Sequence, residues 1–410
     1  MAEDGTIVGL DIGTSKVCAV IAEINSDGEL EILGIGKSPS SGLRRGVVIN
    51  IESTLQSVAG AIEAAEQMAG REVSGVVTGI AGGHIEGMNS RGVVAVTGRG
   101  REINEVDVDR VIDAARAVVI PMDREILHVI PQEYVVDDQG GIRNPIDMIG
   151  VRLEAEVHII TGSVTSAQNL VKCVNRAGFK VDQMVLDGLA SAGAVLTEDE
   201  KEMGVLMLDL GGGTTDVLVY SEGAPYYTSV VGLGGSQVTS DVSIMLKTPA
   251  ESAERIKREA GCCYIELIEG DEPVIIPGVG GRPPLSIQQR SLAEIIHPRM
   301  EEIYRMVRDK LEKKGYLGAI GGGVVLTGGG ALLPGAVDLA QDVFGSAARV
   351  GRPTGVKGLE EHFQQPDMAT AIGLVQFAMQ DVDLSSIEPG KQRRNGMLSA
   401  LGRWFKNFFE

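Results

Sequence analysis

The sequence predicts an α/β protein made of two duplicated halves facing each other across a cleft, with a small subdomain inserted into the first half. The main observation is a repeat. "VGLDIGTSKVCAVIAE" at Val8 to Glu23 and "LMLDLGGGTTDVLVYSE" at Leu206 to Glu222 share one design: an apolar strand ending in Asp, then Gly with hydroxyl residues, then a second apolar strand. Recurrence of a whole supersecondary unit is the mark of internal duplication. Around each copy, strand-like runs alternate with stretches of helical period. Between residues 82 and 161 that rhythm gives way to short alternating strands, which read as the insertion.

The elements follow in order. Thr6 to Ile12, Val17 to Glu23 and Leu30 to Gly36 read as strands, Ile51 to Met68 as a helix and Val73 to Ile80 as a strand. The insertion carries strands at Gly92 to Thr97, Leu127 to Val136 and Leu153 to Ile160, with a helix near Val106 to Val118. A helix at Ser166 to Ala177, a strand at Phe179 to Val185 and a helix at Leu189 to Leu196 lead to the second hairpin, which starts at Val205. Helices at Gly235 to Met245 and Pro249 to Ala260 come next, then a strand-and-loop region from Tyr264 to Ser286. Gln288 to Lys314 reads as a long helix interrupted near Pro298, because an interior proline removes a backbone donor. A buried strand at Gly323 to Thr327 feeds three glycines, and Ala331 to Phe344 contains another helix.

Composition narrows the function. At 410 residues and 43% hydrophobic, the chain has material for more than one core. A formal charge of -19 argues against broad nucleic-acid binding, since a phosphate backbone would be repelled. Four cysteines without CxxC spacing, two of them adjacent, fit a reducing cytoplasm better than a disulfide framework. No basic, apolar leader pattern opens the chain, so no signal peptide is expected.

The last residues reverse the charge. From Lys391 to Glu410 there are five Lys or Arg against one Glu, a net +4, leaving -23 for the rest. On helical spacing Met397, Leu401, Trp404, Phe405 and Phe408 share one side of "MLSALGRWFKNFFE", with Arg403 and Lys406 opposite. Such a helix is too short and too charged to span a bilayer but suited to lying on an anionic one. The polar stretch from Asp383 to Asn395, ending in "KQRRN", reads as a linker.

The two hairpins are sensible phosphate devices. Glycines let backbone N–H groups approach oxygens, hydroxyls donate further bonds, and a carboxylate holds a hydrated cation. Asp11 and Asp209 are the candidate magnesium-side carboxylates, acting through water. Gly13, Thr14 and Ser15, with Gly212, Gly213, Thr214 and Thr215, form the two candidate phosphate loops, and Lys16 adds a point charge. Neither loop is GxxxxGK[ST] or a dinucleotide fingerprint. "AERIKREAG" places Glu254, Lys257 and Arg258 on nearby helical turns, able to contact a base and ribose or to form solvated pairs. "LTGGGALLPG" brings Gly328, Gly329 and Gly330 to a helix start, permitting close passage of adenosine or its phosphate.

With the two hairpins, "DGLA" from Asp187, "LTGGGALLPG" and "PDMATAIGL", the chain resembles the actin, heat-shock chaperone and sugar-kinase superfamily, and across nearly its whole length the FtsA family of bacterial cell-division proteins. The resemblance implies an actin-like ATPase fold around a nucleotide cleft with ATP and Mg2+. It places the first large subdomain in residues 1–81, 162–196 and 361–382, the FtsA-type insertion in 82–161, the second large subdomain in 197–232 and 300–360, and its small partner in 233–299. A basic linker at 383–396 and a membrane-targeting helix at 397–410 complete the chain. Asp187 falls where related proteins commonly place Glu or Gln to position water, so ATP binding with slow or regulated hydrolysis is expected. The family implies a self-associating filament on the cytoplasmic face of the cell membrane at the division site, binding the FtsZ C-terminal tail and other division proteins. Arg290, Arg299 and Arg305 are the candidate tail contacts. A carbohydrate or small-metabolite kinase and another actin-like scaffold are the alternatives of the same superfamily.

Overall fold

The computed structural model describes residues 6–386, apart from 98, 99, 101, 271, 279–282 and 359–362. The amphipathic Met397, Leu401, Trp404, Phe405 and Phe408 lie outside the described residues.

The first half opens as a meander, β1 (Thr6–Ile12), β2 (Lys16–Ile24) and β3 (Leu30–Pro39), and every residue of β1 is buried. A small ribbon, β4 (Leu43–Arg44) with β5 (Val47–Val48), precedes α1 (Ile51–Ala69). Asn50 caps α1 by accepting the Ser53 N–H, and Gly70 ends it in the left-handed conformation, φ 63°. The helix buries Val58, Ala61, Ile62 and Ala65 at helical spacing, and β6 (Gly75–Ile80) then runs parallel to β1.

The insertion follows: β7 (Glu86–Ala95), α2 (Glu105–Arg116), β8 (Arg124–Val136), β9 (Gln139–Ile142) and β10 (Arg152–Ser163). Its own core includes Ile103, Val111, Leu153, Val157 and Ile159. The first half resumes with α3 (Val164–Arg176), β11 (Lys180–Leu186) and α4 (Asp187–Val195). The short α5 (Glu198–Met203) links it to the second.

The second half repeats the meander as β12 (Val205–Leu210), β13 (Thr215–Ser221) and β14 (Ala224–Val231). Next come α6 (Gly235–Leu246), α7 (Ala250–Ala260), the ribbon β15 (Pro273–Ile276) with β16 (Leu285–Gln288), and α8 (Gln289–Lys314). β17 (Val324–Thr327), α9 (Ala336–Phe344) and β18 (Ala348–Val350) close it, and α10 (Ala369–Ser386) crosses back.

The duplication is visible strand for strand. One sheet has the order β11-β6-β1-β2-β3, and the other begins β18-β17-β12-β13-β14. Each pairs its first three strands in parallel and its last three antiparallel. α10 fastens the crossing by burying Ala371, Ile372, Leu374 and Val375 with Ile7, Val20 and Val185.

Several elements differ from the sequence expectation. α8 is one helix through Pro298, because Leu292, Ala293 and Ile296 before the proline and Met300, Ile303 and Tyr304 after it enter one core. That burial outweighs the lost hydrogen bond. β7 starts six residues before the expected Gly92, and the second hairpin gains a third strand, β14. α10 continues to Ser386, into the stretch read as linker.

The insertion leaves the first half but joins the sheet of the second, whose order continues β14-β7-β10-β8-β9. β14 and β7 share a single ladder pair, Ser229 with Glu86. Side chains complete the seam. His158 Nδ1 lies 2.6 Å from Asn89 Oδ1, and its Nε2 lies 2.9 Å from Thr228 Oγ1. Because Asn89 Oδ1 only accepts, the network puts the proton on Nδ1 and leaves Nε2 to accept from the hydroxyl. Against the first half, His128 Nε2 accepts the Leu186 N–H at 3.0 Å.

Burial pushes both imidazoles down to about 4. The unfolded chain therefore binds protons near pH 6.5 that the folded chain refuses until about pH 4, so each histidine costs stability as pH falls through that window. The His158→Gln variant should consequently lose less stability than the parent between pH 7 and 5. Denaturant titrations at the two pH values measure the difference, and equal losses would contradict a buried neutral His158.

Candidate functional site

Asp11 and Asp209 are the next-to-last residues of β1 and β12, just before the two turns. The Gly13 N–H closes its turn on the Lys16 carbonyl at 3.0 Å. Thr14 and Ser15 lie directly against Gly213 and Gly212 of the opposite half, where a Cβ on Gly212 would collide with Ser15 Oγ. The fold thus brings the two candidate phosphate loops face to face. Thr14 Oγ1 accepts the Gly46 N–H at 3.2 Å, whereas the buried Thr215 hydroxyl is spent on the Leu233 carbonyl at 2.9 Å.

Four carboxylates share this floor. Asp209 Oδ2 accepts from Ser191 Oγ at 2.6 Å and Thr370 Oγ1 at 3.2 Å. Burial still raises its pKa, against those two bonds and the Lys16 charge. Burial likewise raises Asp11 to about 6; Lys16 opposes the shift, and Asp209 and Asp367 add to it. Asp187, at the start of α4, is pushed well up by burial and then by Asp11, Asp216 and Asp209. The fourth is Asp216, which sequence reasoning missed. It sits opposite Asp209 in the β12–β13 ladder, where the first half has Cys18 opposite Asp11, and burial followed by Asp209 and Asp11 raises it strongly.

Asp187 Oδ1 and Asp216 Oδ1 are buried without a hydrogen-bond partner. Orphaned carboxylate oxygens in a cluster that disfavours ionisation are what a bound cation relieves. Among the described residues no three His, Cys, Asp or Glu side chains converge closely enough to hold a bare ion. The donors fit a hydrated magnesium, which keeps most of its waters and takes few protein ligands.

The third glycine loop is only partly explained by packing. A Cβ on Gly328, φ 77°, would collide with Asp209, and one on Gly330 would meet Leu210 Cβ at 2.7 Å. Gly329 is exposed, and the nearest atom to a Cβ there is Asp367 Cβ at 3.9 Å, so no close protein contact requires a glycine at that position. Nearby, Lys257 spends its three donors on Gly235 O at 3.1 Å, Thr239 Oγ1 at 2.9 Å and Glu254 Oε2 at 2.7 Å. The Thr239 hydroxyl also donates to Glu254. Lys257 and Glu254 therefore lock α7 onto the start of α6, while exposed Arg258 borders a cavity of about 300 Å³ with Gly261, Cys262, Leu267 and Pro334.

Known proteins share this sequence over nearly its whole length. A family model described as "Cell division protein FtsA" matches residues 206–373, and one described as "SHS2 domain inserted in FTSA" matches residues 82–161. Over 403 residues the chain is 50% identical to the cell division protein FtsA of Borreliella burgdorferi, covering 97% of this chain and 98% of the relative. The chain belongs to the FtsA family. It is also 48% identical to the FtsA of Pseudomonas aeruginosa, covering 91% of this chain and 89% of the relative. With that of Escherichia coli K12 it shares 40% identity over 98% and 96% of the two chains.

Solved structures carry the same actin-like fold. A PilM-PilN type IV pilus biogenesis complex aligns with TM-score 0.64 and 17% identity, covering 91% of this chain and 98% of that one. MreB5 of Spiroplasma citri bound to ADP aligns at 0.56 and 15%, covering 95% and 100%. The FtsA-type insertion expected from the sequence is therefore present on an actin-like frame.

Arg299 and Arg305, singled out above, pair with carboxylates of this FtsA chain. Arg299 grips Asp241 of α6 through Nε at 2.6 Å and a terminal nitrogen at 3.1 Å, and also bonds Glu302. Arg305 pairs with Glu301 one turn back, at 2.7 and 3.0 Å. Arg290 lies in the first turn of α8.

Proton competition at the carboxylates has a measurable sign. Asp11 holds its proton up to about pH 6, so a cation bound there would have to displace that proton below this value and would meet a free carboxylate above it. If magnesium binds there, nucleotide binding that depends on it should weaken as pH falls through about 6. Calorimetric titration across pH 5 to 8 checks this, and affinity that rises on acidification would contradict it.

Proposed function

We propose that this FtsA-family chain binds ATP with Mg2+ between its halves and, so loaded, polymerises into actin-like filaments that tether FtsZ to the cytoplasmic face of the cell membrane at the division site. The observation that carries the reading is the convergence of the two Asp-Gly hairpins onto one floor with two orphaned carboxylate oxygens. Gly13, Thr14, Ser15 and Lys16 on one side, and Gly212, Gly213, Thr214 and Thr215 on the other, would hold the phosphates. Asp11 and Asp209 would orient the waters of the magnesium, which when bound neutralises phosphate charge. Gly328, Gly329 and Gly330 would pass along the adenosine, with Glu254, Lys257 and Arg258 at its base and ribose. The choice of nucleotide is supported by MreB5 of Spiroplasma citri, a protein of the same fold solved bound to ADP and to AMPPNP.

Asp187 would orient water. Its shorter side chain and raised proton affinity favour slow hydrolysis, because a protonated carboxyl is a poor base. Met397 to Glu410, as an amphipathic helix, would supply membrane attachment. The surface for the FtsZ tail would be residues 233–299 with the following helix to Lys310, where Arg299 and Arg305 would exchange their internal carboxylates for those of the tail and Arg290 would add a third cation. Other division proteins would dock on the same filament. MamK, which aligns with TM-score 0.51, is described as a double helical filament, which supports self-association as a property this frame permits.

Electron microscopy of the purified full chain on an anionic lipid monolayer tests the reading. Filaments on the lipid with ATP and Mg2+ are the expected result, and a chain that leaves the lipid bare would contradict it.

A further inference from the structure

Lys16 is the cation that the first hairpin would offer to a phosphate, yet it is already engaged. Its Nζ donates to Asp367 Oδ2 at 2.6 Å and also to the Asp367 main-chain carbonyl. Lys37 lies 3.5 Å from the same carboxylate, with its ammonium over the Phe363 ring at 5.6 Å from the centroid. Both partners of the pair are about three-quarters buried, so solvent screens it only in part. Burial alone would raise the Asp367 carboxyl, but Lys16 and then Lys37 hold it below the usual range.

The position of Asp367 gives the pair a meaning. It lies in the turn Pro366–Met368, which is pinned to the third glycine loop by the Gly328 N–H on the Pro366 carbonyl at 3.0 Å and by Thr327 Oγ1 at 3.2 Å. Its Cβ is the nearest atom to the open side of Gly329. Three residues on, Thr370 bonds Asp209. An anion lying between the first hairpin and Gly329 therefore passes both ends of the ion pair. It meets an attractive ammonium already neutralised and a repulsive carboxylate beside it.

We propose that Asp367 is an affinity-setting counter-ion that polyphosphate must displace from Lys16 before it binds. The inference rests on the nucleotide reading above. Its consequence is that the free energy of the Lys16–phosphate contact is offset by the Lys16–Asp367 contact given up, so binding is weaker than the loop geometry alone allows. Removing the carboxylate charge both frees Lys16 and lowers the repulsion.

The experiment is calorimetric titration of Mg2+-ATP into the full chain and its Asp367→Asn, Lys16→Met and Lys16→Met/Asp367→Asn variants, with thermal melting to confirm folding. Asp367→Asn should bind ATP tighter than the parent by about threefold to tenfold, and Lys16→Met should bind more weakly. The double variant should show little of the gain. Asp367→Ser supplies a second test that does not depend on the asparagine packing. If the parent binds ATP while both folded Asp367 variants bind equally or more weakly, the counter-ion role is overturned and the nucleotide reading stands. A gain that persists undiminished without Lys16 also overturns it, because the effect is then general repulsion. No binding by the parent overturns the nucleotide reading and the counter-ion role together.

Discussion

The Asp209→Ala variant is expected to lose about 100-fold or more in affinity for Mg2+-ATP, with the chain still folded. Asp209 is the point at which the second hairpin, α4 and α10 meet: its carboxylate accepts from Ser191 and Thr370 and faces Asp216 across the ladder. The two hydroxyls hold the carboxylate in one orientation, so a hydrated cation would find its acceptor already placed, and alanine removes both acceptor and charge. The hydroxyls then pair with each other, being 2.9 Å apart, which limits the structural damage. Asp209→Asn separates the two contributions, since the amide preserves an acceptor for Ser191 without the charge. Fluorescent-nucleotide titration with and without magnesium reads both, and parental affinity in Asp209→Ala and Asp11→Ala alike would remove the site from the cleft floor.

Deletion of residues 397–410 is the second change with a large expected effect. The segment concentrates Trp404, Phe405 and Phe408 with Leu401 and Met397 beside Arg403 and Lys406. A fourteen-residue helix would be marginal in water, but an interface would order it by taking up the aromatic side while the cations meet anionic head groups. The parent should sediment with anionic vesicles and the truncated chain should stay in the supernatant. Since one such helix is a weak anchor, sedimentation should also rise with assembly, as neighbouring tails along a filament raise their effective concentration at the surface. Equal sedimentation of both chains would place the membrane contact elsewhere.

What the sequence reveals of this molecule depends on how local the determining physics is. The hairpins are legible because strand, Asp, glycine and hydroxyl occur within one short stretch of chain, and α1 because its apolar residues recur at helical spacing. The duplication follows from comparing two such stretches. Asp216 is not legible in the same way: it is one more aspartate in a strand until the ladder sets it against Asp209 and burial removes its water. The Lys16–Asp367 pair joins positions 351 residues apart, and only the return of α10 to the first half brings them together. Pro298 misleads because a local rule predicts a break that a continuous buried face overrides. The pairing of Arg299 is hidden for another reason, since helical spacing does not reveal that Asp241 of another helix bonds it.

Vesicle flotation with FtsZ tests the central claim most directly. FtsZ filaments, anionic vesicles, Mg2+-ATP and the full chain are mixed, and the FtsZ that floats with lipid is measured against mixtures lacking the chain or containing its truncated form. The expected result is FtsZ in the floating fraction only with the full chain. FtsZ left at the bottom, while the chain itself floats, would contradict its assignment as the membrane tether.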